Sequence, residues 1–583
     1  MRFDLLDEPS LPRPARRGLD LAAVLAVLAV AVWLWPVDAQ PAEVQLSGVP
    51  WWGSTRDLML EGPDAGEWAR NIRLLEQGRF EDLDHHRLPS WMVMVAAVMK
   101  AGPDVVMAGH IVNRLLFAAL GLACFGLGRL RGGRMVGLLA AALAMGLPHV
   151  LSSSQRFGID MAVSAMIPVL MLSALATTRS FWLGLPTGLL AGLVAGLHYT
   201  TPPYLLPPLV LLLLQVQGWK GRLGAVLLYL AGAALSVRLL LFIYPVPSWT
   251  MFLNDIANGI SPAPPGGGSP AALDTALAGL RADLLGHASA AVANAVHTLR
   301  VATLPWAVQL ALPWLGVLGL ALLPPRSGSG SWARSLLLRT DLGTGVALLC
   351  CLAPLPVLTG VGAPERYGNN FLPIVAVLIA RGAGSIFETV DALVRAGWKR
   401  WPRGPLLVLA LLPLFWAALI ARSGLRFMAP PQASEIGSMM LAEALGRTFP
   451  AGTGVASPMR EPLVIANLEF CPLRVCPTEA SEDHFQRCVR VMAQECAGEG
   501  PIGYVWTSAS HFYDPNARRA EMDTWVAERW PVAEEVRHGD FSAKIYLIDR
   551  PLVREGEDPL QGLPHPGQRP DGSVPPPPGG GGR

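Results

Sequence analysis

Asp64 is the residue of this chain whose type and setting first indicate chemistry. It follows Gly62-Pro63 and opens an acidic, amphipathic stretch that runs to Phe80, shortly after a hydrophobic segment near the N-terminus. A carboxylate at a water–membrane boundary, facing a cavity, can act as a general base. The alternative is structural, because an Asp just before a helix caps the free N–H groups of the first turn. The residues alone leave both interpretations open.

The stretch after Asp64 has a helical pattern. From Gly66 to Leu75 the apolar face is marked by Trp68, Ile72 and Leu75, and charged residues such as Glu67 surround the rest. We expect this helix to lie along the membrane surface rather than to cross the bilayer.

The elements that must position this carboxylate are membrane helices. Of the 583 residues, 52% are hydrophobic and 15% are charged, and the mean hydropathy is +0.39. A water-soluble fold would leave too much of this apolar surface uncovered. The net charge of +2 is too small to indicate a nucleic-acid partner, and the cations fall in short clusters between apolar runs. The composition predicts a mainly α, polytopic membrane protein in contact with membrane lipids.

Span length sets the number of helices. A bilayer core of about 30 Å needs about 20 apolar residues per helix. This length predicts about eleven spans, near residues 19–37, 111–130, 135–151, 160–177, 182–199, 203–218, 223–244, 303–323, 342–360, 370–387 and 404–421. The first run also fits a signal peptide, with Ala39-Gln40 as a cleavage-like end, but its length and the many later spans favour a retained anchor.

The basic clusters predict the topology. They fall at every second junction between spans, which predicts that the N-terminus lies in the cytoplasm. An odd number of spans then places the C-terminal segment in the periplasm. The predicted membrane domain is 1–421, with periplasmic loops 38–110 and 245–302. A periplasmic domain over 422–554 and a disordered Pro/Gly tail over 555–583 follow.

Cysteines and periodicity characterise the C-terminal segment. Strand-like alternation at Gly503–Thr507 and Ala543–Ile548, with helical patterns at Ser434–Leu445 and Ala517–Arg529, predicts a small α/β domain. Four cysteines cluster there: Cys471, Cys476, Cys488 and Cys496. Two disulfides, in any of three pairings, are favoured over a zinc site, because the companion CxxC of a zinc site is missing.

Several segments resemble a known family when they are taken in chain order. Asp64, Trp68, Arg73-Leu74-Leu75 and Gly78-Arg79-Phe80 together resemble the first periplasmic loop of the GT-C superfamily of membrane glycosyltransferases. That superfamily includes protein O-mannosyltransferases and lipid A aminoarabinose transferases.

Later segments are similar to further features of the same superfamily. Asp84-His85-His86-Arg87-Leu88-Pro89 is similar to a His-Pro segment that opens a re-entrant helix. A membrane span and its basic cytoplasmic turn are resembled by Asn113-Arg114-Leu115-Leu116 together with Gly126–Gly137. Ser154–Asp160 resembles a short outer loop bearing an Arg and an acid. Gly196-Leu197-His198-Tyr199-Thr200 sits where the fold has a Gly-Leu turn. Pro364–Pro373, which contains Arg366-Tyr367, is similar to an Arg-Tyr-x-x-Pro signature.

The chain also departs from the superfamily pattern. Many members carry a second acid directly after the loop Asp, where this chain has Ala65, and the Arg-Tyr motif has two extra residues before its proline. A divalent cation is therefore an open option. Asp57, Glu61 or Glu67 remain as sources of a second carboxylate.

The resemblance implies a reaction and a site. The donor would be a polyprenyl-phosphate-linked sugar, and the acceptor a periplasmic lipid, glycan or protein. Asp64 would be the general base, and Arg366 and Tyr367 would hold the leaving phosphate. Arg366 at a helix end also fits an arginine that snorkels to lipid headgroups.

Other polar residues complete this implied site. Arg238, well inside a span, meets either the donor phosphate or the headgroups. The residues expected to line the pocket are Glu67, His85, His86, Arg156 and Asp160. Arg156 and Asp160 equally fit a structural ion pair.

Two other functional classes remain. A transporter or lipid flippase would suit the Gly and Pro residues in the spans, although the polar groups gather in outer loops rather than at mid-bilayer. A noncatalytic membrane scaffold would suit the Ala65 departure.

Overall fold

The computed structural model describes residues 13–33, 63–243, 372–384 and 433–549, with gaps inside the last three ranges. These residues fall into two compact units. The first takes its residues from 1–36 and 71–428, and the second from 37–70 and 429–583. Each unit is described by itself.

Helices form most of the first unit. The helices of the described chain are α1 (Arg13–Trp33), α2 (Pro63–Glu76), α3 (Ser90–Met99), α4 (Val105–Gly146), α5 (Pro148–Gln155), α6 (Asp160–Thr177), α7 (Gly184–Ala195), α8 (Leu206–Gln215), α9 (Trp219–Ile243), α10 (Leu372–Arg381), α11 (Ala433–Thr448), α12 (Glu461–Ile465) and α13 (Ala517–Arg529). Short 3-10 turns precede α7 and α8, at Phe181–Leu183 and Pro202–Leu205.

Three helices in the described part of the chain are long and apolar enough to cross a membrane. They are Val105–Leu130, Asp160–Thr177 and Trp219–Phe242, at the predicted spans 111–130, 160–177 and 223–244. Shorter apolar helices occupy four more predicted spans: Gly133–Gly146, Phe181–Ala195, Leu206–Gln215 and Leu372–Arg381. The predicted loop 245–302 and the predicted spans 303–323, 342–360 and 404–421 lie outside the described residues, so the number of spans stays a prediction.

The basic turn expected between residues 126 and 137 is present inside α4. Gly133 has φ 86°, a left-handed conformation that favours glycine, and it divides α4 into two helices. Asp20 of α1 binds two arginines of this turn. Its carboxylate accepts from Arg129 Nε at 2.9 Å and from Arg134 Nε at 2.6 Å, and the Arg134 side chain is fully buried. Together with the buried Val27, these two ion pairs pack α1 against α4.

Glycines let α7 and α9 pack backbone to backbone. A Cβ added at Gly188 would lie 2.0 Å from the carbonyl oxygen of Tyr229, and one at Gly192 would lie 2.6 Å from that of Ala233. Gly232 on α9 meets Leu185 in the same way, at 2.3 Å. Small residues at such spacing are the usual means by which membrane helices approach closely.

A mixed sheet forms the second unit's C-terminal part. Its strands are β1 (Gly454–Ala456), β2 (Glu469–Cys471), β3 (Ile502–Thr507), β4 (Val532–His538) and β5 (Phe541–Ile548). The strand order is β2-β1-β3-β5-β4, with β1 parallel to β2 and β3, and β5 antiparallel to β3 and β4.

Alternation along β3 and β5 builds a hydrophobic core on each face of this sheet. Tyr504 and Tyr546 pack with Val526 of α13 on one face, and Val505 and Ile545 pack with Leu445 of α11 on the other. The predicted strands and helices are therefore present at the expected segments, whereas the domain bounds 422–554 stay a prediction. Its placement in the periplasm stays a prediction.

Only part of the cysteine cluster falls within the described residues. Cys471 is buried at the end of β2 and is disulfide-bonded. Cys476, Cys488 and Cys496 lie outside the described residues, so the predicted pairing is not tested.

Candidate functional site

The helix that carries Asp64 begins earlier than its periodicity predicts. α2 starts at Pro63, so Asp64 is its second residue and does not precede the helix. Proline suits the first helical position, because its missing N–H needs no partner there and its φ angle is already helical. Asp64 therefore lies in the first turn, where the free N–H groups of the helix favour a negative charge. Its side chain lies outside what the structure describes.

α2 is buried along one face. Ala65, Trp68, Ala69 and Ile72 are each at most 3% exposed, at the i, i+3, i+4 and i+7 spacing of a helix face. Trp68 and Ile72 were expected on this face, whereas Leu75 is only half-buried. Because Ala65 is 1% exposed, an acid at this position would be desolvated. Glu67 lies beside this face and is partly exposed.

The C-terminal half of α2 has a cation beside the start of α4. Burial lowers the pKa of Arg73 below its ordinary value, while the nearby carboxylates of Asp104 and Glu76 oppose that shift. Asp104 also caps α4, since its side chain accepts from the N–H of Met107 at 2.9 Å. The carboxylate that caps α4 thus also opposes the effect of burial on the pKa of Arg73.

Asn113 of α4 joins two other segments of the first unit. Its Nδ2 donates to the carbonyl of Arg156 at 2.7 Å and to that of Gly158 at 2.9 Å, and its Oδ1 accepts from the indole of Trp91 at 3.0 Å. Asn113 and Trp91 are fully buried. The side-chain amide therefore connects α3 and α4 to the 156–159 loop between α5 and α6. We call these four hydrogen-bonded residues the Asn113 network.

Phe157 locks the same loop by packing. Its ring lies edge-on to Trp91, with centroids 5.1 Å apart, and 6.2 Å from the ring of His110. It fills the space over Gly109, where an added Cβ would lie 2.2 Å from the ring. Phe157, whose two chain neighbours are bound by Asn113, is thus also held against α4 by its ring.

The turn after α7 reaches the start of α3. The carbonyl of Gly196 accepts from the N–H of Ser90 at 3.0 Å. The hydroxyl oxygen of Thr201 lies 2.6 Å from the carbonyl oxygens of both Val194 and His198, which share its one proton and so close the turn. Thr201 is the residue whose hydroxyl closes this turn, and Tyr199 and Thr200 lie outside the described residues.

The structure brings together four segments that the family resemblance had placed in order along the chain. The helix opened by Pro89, the Asn113 segment, the 154–160 loop and the Gly196 turn contact one another through the Asn113 network and Ser90. Arg156 is exposed at one end of the loop, and Asp160 is half-buried at the first position of α6. Two predicted pocket residues thus flank a fixed loop.

Other predicted site residues are placed only in part. Arg238 is exposed on α9, whereas Leu240, two residues further on, faces Gly196. Because two helical positions differ by about 200°, Arg238 lies on the opposite side of α9 from the Gly196 turn. His85, His86, Arg366 and Tyr367 lie outside the described residues. Asp64 and Glu67 belong to the second unit, and Arg156, Asp160 and Arg238 to the first.

Sequence reasoning did not single out Trp91, His110 or Phe157 as a cluster. The sequence does show that two of them bring a hydrogen-bonding group into an apolar run: the indole N–H of Trp91 within 90–99 and the imidazole of His110 within 105–130. No group of three or more His, Cys, Asp or Glu residues that could hold a metal ion occurs among the residues that the structure describes. That search leaves out His85 and His86.

Comparison with known proteins identifies the fold. No protein-family model and no curated protein matches the chain. The structure of ArnT from Cupriavidus metallidurans bound to undecaprenyl phosphate matches with a TM-score of 0.52 and 13% identity, over 90% of this chain and 98% of that chain. The oligosaccharyltransferase of Archaeoglobus fulgidus tethered with an acceptor peptide matches with a TM-score of 0.50 and 13% identity, over 89% and 74%. Because both identities are below 25%, these matches show that the chain shares the fold of the two proteins.

Proposed function

We propose, from a fold shared with GT-C membrane glycosyltransferases, that this chain transfers a sugar from a polyprenyl-phosphate donor to an acceptor at the outer face of a bacterial inner membrane. The observation that carries this proposal is the match to ArnT over 90% of this chain and 98% of that chain. The motifs that first suggested the family support it, because four of them converge in the first unit.

The reaction we propose is a direct displacement. Asp64 accepts the proton of an acceptor hydroxyl, whose oxygen forms a bond to the anomeric carbon of the sugar. The bond between that carbon and the phosphate oxygen breaks, polyprenyl phosphate leaves with the electron pair, and the configuration inverts. Asp64 lies in the first turn of α2, and only its ionised form can accept this proton.

Arg366 and Tyr367 are assigned to the leaving phosphate. A guanidinium offers a planar pair of donors, and a phenol adds a third, as negative charge develops on the phosphate. Arg238 is a second candidate for the donor phosphate. Its exposure near one end of α9 suits contact with a lipid-borne group as well as with headgroups.

The remaining assignments concern the pocket, the topology and the C-terminal domain. Glu67, His85, His86, Arg156 and Asp160 line the pocket, and a lipid, glycan or protein is the acceptor. The N-terminus lies in the cytoplasm and the 422–554 domain in the periplasm, where the oxidising environment suits disulfides among Cys471, Cys476, Cys488 and Cys496.

Substitution of Asp64 tests the reaction. Membranes that contain the full chain are given labelled polyprenyl-phosphate sugar, and transfer is compared for wild type, Asp64→Asn and Asp64→Glu. We expect Asp64→Asn to lose about 100-fold or more in transfer, and Asp64→Glu, which keeps a carboxylate, to retain more. Wild-type transfer by Asp64→Asn would refute the base assignment. Translocation of label without transfer would instead favour a flippase, and the absence of both a scaffold.

Substitution of Arg366 tests the phosphate assignment separately. Arg366→Ala should raise the KM for the donor, while Arg366→Lys, which keeps the charge but not the planar pair of donors, should have an intermediate effect. An unchanged donor KM in Arg366→Ala would leave Arg366 as an arginine that contacts headgroups.

A further inference from the structure

We infer that Asn113 is a positioning residue: its amide holds the 156–159 loop, and with it Arg156 and the start of α6 at Asp160, two residues assigned to the proposed pocket. This inference rests on the proposed function for its catalytic part. The structural part stands on the contacts of Asn113 alone.

The first argument is the use of the amide's hydrogen-bonding capacity. Both N–H bonds of Nδ2 are used, one by the carbonyl of Arg156 and one by that of Gly158, and Oδ1 accepts from Trp91. Asn113 is 0% exposed, so water cannot replace a lost partner. No other side chain of this size offers two donors and an acceptor in one plane.

The second argument is the nature of the loop. Residues 156–159 are bends between two helices, and Phe157, Gly158 and Ile159 are buried. A buried loop has main-chain groups without regular ladder partners, which must find them elsewhere. Asn113 supplies that partner for two of these carbonyls, one on each side of Phe157.

The third argument is the independent lock on Phe157. Its ring occupies the slot over Gly109, against Trp91. The Asn113 amide thus holds the backbone of the loop at two carbonyls, and the packed Phe157 ring holds it through a side chain. Arg156 remains exposed and Asp160 begins α6, so the two charged groups are presented from a rigid base.

The test begins with Asn113→Asp and Asn113→Leu in the full chain. Asp keeps an acceptor for Trp91 but loses both donors, and Leu loses all three bonds at similar volume. Hydrogen–deuterium exchange of purified protein without substrate should show amide exchange at 156–160 faster by about ten-fold or more in both variants. Thr187→Val is the matched control. It removes a buried hydroxyl that bonds Ser173 at 2.7 Å and Thr177 at 2.9 Å, and it should leave exchange at 156–160 unchanged.

A packing pair keeps the test decisive if Asn113 variants fold poorly. Gly109→Ala should displace the Phe157 ring and speed exchange at 156–160. Adding Phe157→Leu, which shortens the ring side chain, should reverse part of that increase. Gly18→Ala is the control, because its Cβ would meet nothing within 4 Å.

Kinetics with labelled donor complete the design. We expect Asn113→Asp to lower kcat by about 100-fold with a donor KM close to that of wild type, and Thr187→Val to change neither. Unchanged exchange in Asn113→Asp and Asn113→Leu would overturn the clamp. Faster exchange with wild-type kcat would overturn the positioning role while leaving the proposed function intact. If wild type transfers no sugar, the proposed function and the catalytic part of this inference fail, and the exchange results decide the clamp alone.

Discussion

Gly188→Ala is expected to separate two helices that now touch along their backbones. The added Cβ would lie 2.0 Å from the carbonyl oxygen of Tyr229, whereas ordinary contact begins at 3.4 Å. Cβ atoms added at Gly192 and Gly232 would likewise lie only 2.6 Å and 2.3 Å from backbone carbonyl oxygens, so the two helices are equally close at these positions. A backbone carbonyl cannot rotate away as a side chain would. α7 and α9 must therefore move apart by about 1 Å or more around Gly188.

The magnitude follows from two opposing effects. Alanine gains about 1 kcal/mol over glycine in a helix interior. Overpacking costs about 1–3 kcal/mol, and a gap of about 1 Å forfeits a quarter to a half of the dispersion energy of each separated contact. Since the contact surface extends along most of α7, the loss exceeds the gain. We expect a net destabilisation of about 2 kcal/mol.

Cys124 provides the assay. Its thiol is fully buried in α4, and in the described residues it is the free cysteine, so maleimide labelling of its peptide reports the opening of the first unit on heating. Gly188→Ala should lower the labelling midpoint by about 4 °C or more. Gly221→Ala on α9 is the matched control, because its Cβ would meet Val216 at an ordinary 3.4 Å. Equal midpoints for the two variants would refute the packing argument.

Two further variants test charge and pH. Asp20→Asn removes the counter-charge that Arg129 and the fully buried Arg134 share. Because Asp20 is itself 39% exposed, we expect the free energy of unfolding to fall by only about 1–3 kcal/mol. A Cys124 labelling midpoint equal to that of wild type would contradict this expectation. Burial, and then the carboxylates of Asp523 and Glu535, raise the pKa of Tyr546 above its unfolded value. The resulting stability is present below about pH 10 and is lost as pH rises toward the folded pKa, because the unfolded chain releases this proton first. Alkaline titration of tyrosinate absorbance should therefore lose a late-titrating group in Tyr546→Phe, and an unchanged late phase would contradict the assignment.

Local patterns account for what the sequence predicts correctly. α6 coincides with the predicted span 160–177, and α13 with the helical pattern 517–529, because each depends on the composition and period of its own residues. β3 and β5 follow from alternation in the same way. The start of α2 is three residues earlier than predicted, because proline at the first helical position breaks no hydrogen bond and leaves no periodic signal.

Contacts between distant residues account for what the sequence could not predict. Asn113 and its acceptors in the loop are 43 and 45 positions apart, and Asp20 lies 109 and 114 positions from the arginines that it pairs. No periodicity within either segment encodes such a partner. The family resemblance did place Asn113, the 154–160 loop and Gly196 in order, but it gave no reason for them to touch. They touch because the buried amide of Asn113 bonds both the loop and Trp91, a contact that forms only when α3, α4 and the loop pack together.

The chemistry of the Asn113 network determines which loop positions are free to vary. Asn113 binds the carbonyls of Arg156 and Gly158, and Ser90 binds the carbonyl of Gly196, so these three bonds are made to the main chain. A main-chain carbonyl is present whatever side chain the residue bears. Substitution of Arg156 therefore leaves both carbonyl acceptors available to Asn113, whereas substitution of Phe157 should move the loop without changing its charge. The hydrogen bonds that hold the loop thus do not depend on which side chain stands at position 156.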